Sequence, residues 1–501
     1  MSFYVIGIGG TGAKCIEAIA HLASVGLIPT NMLKVLYIDA DETNGNLQRS
    51  QRTVSIYQRC FQLLKGKHQE CAWMTTNLES YGVWSPFTNN NADRKLGSFF
   101  SYETLKQTSP PLGNLFDVLY TEDERQVSLE VGFRGRPAIG SSIMTQINLE
   151  SLEQEPWRSL INEIENNAGG GSQTKVLLCG SIFGGTGASG LPTIGRLIAN
   201  KLEKDGVRDR VKIGCIFGLP YFNFPKNSNT NEQVYASSDL FLLNTEAALR
   251  YYKEQANQFD TKYLIGNQSM EKLGDFSVGK DTQVNRPHFV EFYAGLAARH
   301  FFCDNPPEGV HVMSRNEAGI LQWDDIPHVE EVKAKLVNAA RFAFIWLADF
   351  EDQLQKAKTA GIRELNGLAW FDKFFRGTKK FIGGYQRPHL PDLSESDQQD
   401  AIKSVTAWCE DFLRWLKDIH YCDNERVQLF KAREYFGNPK SLKGEKFSDL
   451  LWDDSRSKEL LQDDNAITLK NKIGELDTRD FGEPNQGVAG LAKAVYVCCK
   501  V

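Results

Sequence analysis

Along the first 45 residues the apolar positions change period in a way that outlines a strand, a helix and a second strand. Phe3 to Ile8 is a short apolar run, too brief to be a helix of its own. Cys15, Ile16, Ile19, Ala20 and Ala23 then recur at helical spacing as far as Gly26, a natural C-terminal cap. Lys34 to Ile38 reads as the next strand and ends in Asp39-Ala40-Asp41. This is a βαβ unit with its acidic residues just past a strand end, where open parallel sheets bind ligands.

The pattern weakens over residues 50–125, which are polar and aromatic and read as helices and an insertion. It sharpens again at Lys175 to Gly180, a buried strand. Leu191, Ile194, Ile198 and Leu202 mark the following helix, with Pro192 expected in its first turn. Val211 to Leu219 and Thr261 to Ile265 read as further strands. Phe289 to Phe302 is a strongly apolar helix, for which Asn285 is the expected cap and Pro287 a first-turn residue. From about residue 331 strand-like runs vanish. Val332 to Leu354 and Ala401 to His420 read as amphipathic helices, and Arg376 to Asp400 as a loop. The aromatics Trp370, Phe371, Phe374, Phe375, Trp408, Phe412 and Trp415 recur near helical spacing and are expected to be core.

The 501 residues carry a net charge of −6, with 41% hydrophobic and 24% charged residues. That is a globular composition and excludes a wholly disordered chain. Without a global basic field, nucleic acid is not an expected partner. The ten cysteines are scattered, none in C-x-x-C. They are expected as buried free thiols in a reducing, cytoplasmic setting. No run of 18 apolar residues exists, so no membrane association is expected. The N-terminus is expected to be a structural strand rather than a leader.

Two glycine-rich turns carry the chemical signal. Gly7-Ile8-Gly9-Gly10-Thr11-Gly12 and Gly184-Gly185-Thr186-Gly187-Ala188-Ser189-Gly190 each follow a strand and open a helix. Such turns let backbone N–H groups close on phosphate oxygens, and the helix dipole adds favourable charge. The first also matches the dinucleotide fingerprint, which needs only one such turn. Two turns suit a nucleotide di- or triphosphate gripped from two sides. Ala13-Lys14 follows the first turn, but a P-loop needs lysine directly after its glycine. Lys14 is expected as a solvated helix lysine ahead of a phosphate ligand. His288 and His300 form no site.

The second turn resembles the tubulin/FtsZ signature G-G-G-T-G-[ST]-G, with Phe183 in place of the first glycine and Ala188-Ser189 departing from the Thr-Gly of FtsZ. Other motifs agree in order. Gly7 to Gly12 resembles the first phosphate loop, and Asp39-Ala40-Asp41-Glu42 the acidic loop near Mg²⁺. Gly135-Arg136-Pro137-Ala138-Ile139-Gly140 resembles the loop that senses the terminal phosphate, and Phe222-Asn223-Phe224 the ribose-contacting loop. The resemblance covers about residues 1–300 and is nearest to the bacterial tubulin-like proteins.

It implies an α/β fold: a tubulin/FtsZ-like (Rossmann-type) nucleotide-binding domain over 1–330, with its central helix near 287–302, and a mostly helical C-terminal domain over 331–501. The implied ligands are GTP or GDP and Mg²⁺. The implied binding residues are Gly9, Gly10, Thr11, Gly12, Asp39, Asp41, Gly135, Arg136, Gly184, Gly185, Thr186, Gly187 and Asn223. Asn244, Asn267 and Asn285 are the candidates for guanine, and Asp41 for the metal. Arg134 is a further candidate for the terminal phosphate. The family's acidic pattern N-x-D-x-x-[DE] is missing. Asp324 and Asp325 are the nearest candidates to complete a GTPase site on a neighbouring subunit, and their other reading is as caps of the helix after Pro327. Self-assembly, as a filament or homo-oligomer, is the implied partnership, with a second protein partner possible through the C-terminal helices. The alternatives are a non-hydrolysing nucleotide-sensing scaffold or switch, in a bacterial cytoskeletal or antiphage setting, and an NAD-dependent oxidoreductase.

Overall fold

The computed structural model describes residues 2–64, 71–87, 94–171, 173–224, 238–273, 284–314, 319–431, 466–480 and 482–500. The chain divides into two compact units. The first comprises Met1–Ile19, Thr30–Arg52 and Leu78–Ala318, and the second Ala20–Pro29, Thr53–Asn77 and Gly319–Val501.

The first unit is an α/β layer structure around one sheet. Its strands are β1 (Ser2–Ile8), β2 (Met32–Ile38), β3 (Asn77–Trp84), β4 (Thr174–Ser181), β5 (Val211–Gly218), β6 (Thr261–Ile265) and β7 (Gly309–Met313). They lie in the order β3-β2-β1-β4-β5-β6-β7. The pairings β1–β2, β1–β4, β4–β5, β5–β6 and β6–β7 are all parallel. β4 is buried along its whole length, as a parallel strand covered on both faces must be.

The helices that matter for the site are α1 (Gly9–Ser24), α2 (Gly45–Leu64), α3 (Pro137–Met144), α4 (Gly185–Lys204), α5 (Ser238–Gln255) and α6 (Phe289–Cys303). α1 ends as expected at Gly26. This residue has φ +79°, and the Leu27 N–H donates to the Leu22 carbonyl at 2.9 Å, a left-handed helix stop. β1 meets α6 through Phe3 and Phe302, whose rings stack at 4.4 Å.

Several elements depart from the sequence expectation. β3 falls where the sequence reads as helices and an insertion; it is an edge strand whose residues mix buried Leu78 with exposed Glu79 and Ser80. β7, the opposite edge, exposes Val310 and Val312, so its alternation marks no core face. Pro192 lies well inside α4 because that helix begins at Gly185. α6 is capped by His288, not Asn285. The His288 ring accepts from the Val290 N–H at 3.2 Å, and the Glu291 carboxylate returns to the His288 N–H.

In the second unit the long elements are α7 (Val329–Ile345), α8 (Ser396–Tyr421) and α9 (Gly487–Cys498). α7 continues through a π turn at Trp346–Phe350 into a further helix, Glu351–Ala360. A two-residue antiparallel ribbon pairs Lys379–Lys380 with Gly384–Tyr385. The core is aromatic: Trp73 meets Trp408 at 5.1 Å, and Trp408 stacks on Phe412 at 5.0 Å. The seven aromatics singled out between Trp370 and Trp415 are all buried. All ten cysteines are free thiols. Among the described residues no helix is long and apolar enough to cross a membrane.

Candidate functional site

Strand order locates the site. From β1 the chain crosses to β2 on one side, and later strands add on the other, beginning with β4. The connections therefore part at the C-terminal ends of β1 and β4, which leaves a crevice there. α1 starts directly from β1, and α4 starts after three intervening residues from β4. Both present their first turns to this crevice. The first four N–H groups of a helix have no acceptor within it, so each turn offers unpaired donors and the positive end of a helix dipole.

The glycines divide into two kinds. Gly7 and Gly12 make the reversal from strand to helix. A Cβ on Gly12 would lie 2.5 Å from the Cys179 carbonyl oxygen and 2.6 Å from the Gly7 carbonyl carbon. Gly12, expected to bind ligand, is thus buried packing beneath the turn and does not line the cleft. Gly9 has φ +73° and sits against the other junction: a Cβ there would be 3.3 Å from Thr186 Cβ and 3.4 Å from the Gly187 nitrogen. The two helix starts are therefore in near contact.

The cleft is lined by Gly9, Gly10, Thr11, Asp39, Asp41, Gly135, Gly184, Gly185, Thr186, Gly187 and Asn285 among the candidates from sequence. Asp39 and Asp41 stand at the end of β2, and both are nearly buried. Asp39 Oδ1 accepts from the Asp41 N–H at 3.2 Å and from Thr186 Oγ1 at 3.4 Å. Burial pushes the Asp39 carboxyl up to about 7, and the neighbouring Asp41 charge adds to the rise against opposing backbone hydrogen bonds. Asp41 Oδ1 accepts from both the amide and the hydroxyl of Thr43, at 3.0 and 2.8 Å.

Other candidates lie elsewhere. Arg136 caps the start of α3, with Nε 3.7 Å from Glu124, and is not a cleft residue. Its neighbour Arg134 is one. Asn223 pairs through its backbone with Lys272, and its carbonyl accepts from the Leu273 N–H at 2.9 Å. Phe222 and Phe224, on the alternate positions, line the cleft instead. Asn244, on α5, donates from Nδ2 to the carbonyls of Phe183 at 3.0 Å and Gly135 at 3.4 Å. It ties two cleft loops together from behind. Asn267 bonds Ser269 at 3.0 Å and is also off the cleft. Asp324 and Asp325 belong to the second unit. They form a short 3-10 turn in which Asp325 accepts from the Gln322 N–H at 2.9 Å. Neither caps α7, whose N-cap is His328 with no side-chain capping bond.

Lys14 corrects a further expectation. It is 2% exposed, lines the cleft, and ion-pairs with Glu291 at 2.6 Å while bonding the Tyr221 hydroxyl at 2.8 Å. Its ammonium is buried and engaged rather than solvated. Sequence reasoning also missed Asn44, Asn46, Phe133, Phe183 and Phe241 as cleft residues. The Asn44-Gly45-Asn46 run directly after the acidic strand end was the available signal.

Mg²⁺ takes one or two carboxylates and fills its octahedron with water and phosphate oxygens. Asp39 and Asp41 supply two such carboxylates at one strand end in the cleft. No protein-family model matches the chain, and no curated protein matches it.

Proposed function

We propose that the chain is a tubulin/FtsZ-like nucleotide-binding protein that takes GTP with Mg²⁺ in the cleft between β1 and β4. The observation that carries this reading is the near contact of two glycine-led helix starts, Gly9 against Thr186 and Gly187, beside the carboxylates of Asp39 and Asp41. A dinucleotide-binding oxidoreductase uses one such helix start and leaves the second without a task. Thr11 and Thr186 add hydroxyl groups, that of Thr186 turned to Asp39, and Phe222, Phe224 and Phe241 supply an apolar wall for a base. Asn285 is the asparagine candidate that lines the cleft, and its amide can meet both an acceptor and a donor edge of guanine. Bound Mg²⁺ would neutralise phosphate charge, and Asp39 and Asp41 would hold it through water or directly.

Hydrolysis and self-assembly belong to the same proposal. Asp324 or Asp325 would have to come from a second copy, a heterologous contact that extends into a filament when it does not close. The competing reading is a nucleotide-sensing scaffold that does not hydrolyse. Its support is that Asp325 is occupied in its own 3-10 turn.

Calorimetric titration with Mg·GTP, Mg·ATP and NAD tests the binding reading. Selective binding of Mg·GTP is the expected result, and equal or absent binding of all three overturns it. Phosphate release measured across protein concentration separates the two forms. Specific activity that rises with concentration supports a shared site, and none at any concentration leaves the scaffold.

A further inference from the structure

The cleft carries two side chains whose polarity is fixed by the fold. Asn46, at the start of α2, is 3% exposed. Its Oδ1 accepts from the Asn285 backbone N–H at 2.9 Å. Asn44 Oδ1 accepts from the N–H groups of Asn46 at 2.9 Å and Leu47 at 3.4 Å. A backbone N–H can only be met by the amide oxygen, so both amides are oriented and both Nδ2 groups are left over. Neither Nδ2 has a hydrogen-bond partner among the described residues. Both residues line the cleft. A Cβ on Gly10 would sit 3.4 Å from Asn46 Nδ2 and 3.5 Å from Asn44 Nδ2. Four N–H bonds of two amides thus converge on the first turn of α1, where unpaired backbone donors also point.

Charge narrows the ligand further. Lys14, the lysine of the cleft, is neutralised by Glu291, and the Arg134 Nε is turned to the Ser128 carbonyl at 3.4 Å. Asp39 and Asp41 add negative charge to the wall. A bare polyanion would meet neutral amide donors and the one guanidinium of Arg134, but also the two carboxylates. An anion that brings its own divalent cation satisfies both sides at once.

We infer that Asn44 and Asn46 are anion-binding residues, and that the cleft takes a polyphosphate only as its divalent-metal complex. The donors bond phosphate oxygens over the start of α1 while Asp39 and Asp41 face the metal. The inference rests on the nucleotide reading for the identity of the polyphosphate, but not for the chemistry of its oxygens.

The test is calorimetric titration of the wild type, Asn44→Asp and Asn46→Asp with GTP and with tripolyphosphate, each with Mg²⁺ or with chelator. Aspartate keeps the Oδ1 acceptor for the backbone N–H and replaces the outward donor by an acceptor, and the ligand-free thermal midpoint shows that each variant folds. The expected result is a loss of about tenfold or more in affinity for both Mg²⁺ complexes in each variant, together with loss of wild-type binding in chelator. Both variants binding Mg·GTP like wild type overturns the inference and leaves the nucleotide reading standing. Tight wild-type binding in chelator overturns the requirement for metal. Wild-type binding of Mg·tripolyphosphate that equals or exceeds Mg·GTP, and falls in the variants, supports the inference and removes the guanine reading. A wild type that binds neither overturns both.

Discussion

Two buried aspartates, one in each unit, are treated in opposite ways. Asp411, on α8, is 8% exposed. Burial pushes its carboxyl up, but His21 at 3.7 Å, Arg414 at 2.9 Å and the Thr53 hydroxyl at 2.7 Å outweigh burial and hold it below the usual carboxylate range. Asp39, 4% exposed, has no ion-pair partner among the described residues; it accepts from the Asp41 and Ala40 backbone and from Thr186 at long range, and it is pushed up to about 7. Evolution of a core satisfies a buried charge with partners. Leaving one without a cation in a cleft fits the proposed metal site. On the proposed function, the difference separates a carboxylate kept for the fold from one kept for a ligand.

Removing the first kind has the largest expected effect. Asp411→Ala removes the buried carboxylate that faces His21 and one of the two carboxylates at Arg414, Asp418 remaining at 3.3 Å, and the loss is expected at about 3 kcal/mol, read by denaturant unfolding. Asp39→Asn should act in the other direction. Ionising a carboxyl with a pKa near 7 instead of 3.8 costs the fold up to ~4 kcal/mol. Allowing for imperfect replacement by the amide, a gain of about 2 kcal/mol is expected in ligand-free, metal-free protein at pH 8, with loss of Mg²⁺-dependent binding. A destabilised Asp39→Asn would break the comparison.

The pH dependence sharpens it with smaller effects. Between about pH 4 and 7, native Asp39 holds a proton that the unfolded chain has released. Wild type should therefore lose stability relative to Asp39→Asn as pH rises through that window and then level off. For Asp411 the sign reverses. Its contribution is full above the ordinary carboxylate range and is lost as pH falls through its lowered pKa. Unfolding free energies of wild type and each variant at pH 2 to 8, subtracted pairwise, give both signs in one experiment.

Legibility in the sequence follows the same division between core and cleft. The central strands β1, β2, β4 and β5 are apolar runs because each is covered on both faces, and the chain shows them directly. β3 and β7 were not read because an edge strand carries polar or exposed residues that carry no burial pattern. Glycine spacing pointed to both helix starts, yet it could not separate Gly12, which packs under the turn, from Gly10, which faces the cleft. That distinction depends on Cys179, more than 160 residues away in sequence. Asn285 reads as a helix cap because it precedes Pro287, but His288 and Glu291 form the cap and Asn285 lines the cleft. Lys14 looked solvated because its partners Glu291 and Tyr221 are distant in the chain.

The smallest stability effect belongs to Gly10, and it isolates the cleft from the fold. Gly10 does not have a positive φ, so alanine is compatible with its backbone. The added Cβ would lie 3.4 to 3.5 Å from the Asn46 and Asn44 amides, at or near ordinary contact and against side chains rather than backbone. Stability of Gly10→Ala should stay within about 0.5 kcal/mol of wild type, since the helix gains what the unfolded chain loses in freedom. The methyl group nevertheless stands where a phosphate oxygen would approach the first turn of α1, between the backbone donors and the two amides. Affinity for Mg·GTP should therefore fall about tenfold while the unfolding midpoint barely moves. Equal loss of stability and affinity would mean that Gly10 packs like Gly12 and serves the strand-to-helix turn; unchanged affinity would mean that the anion does not sit on α1.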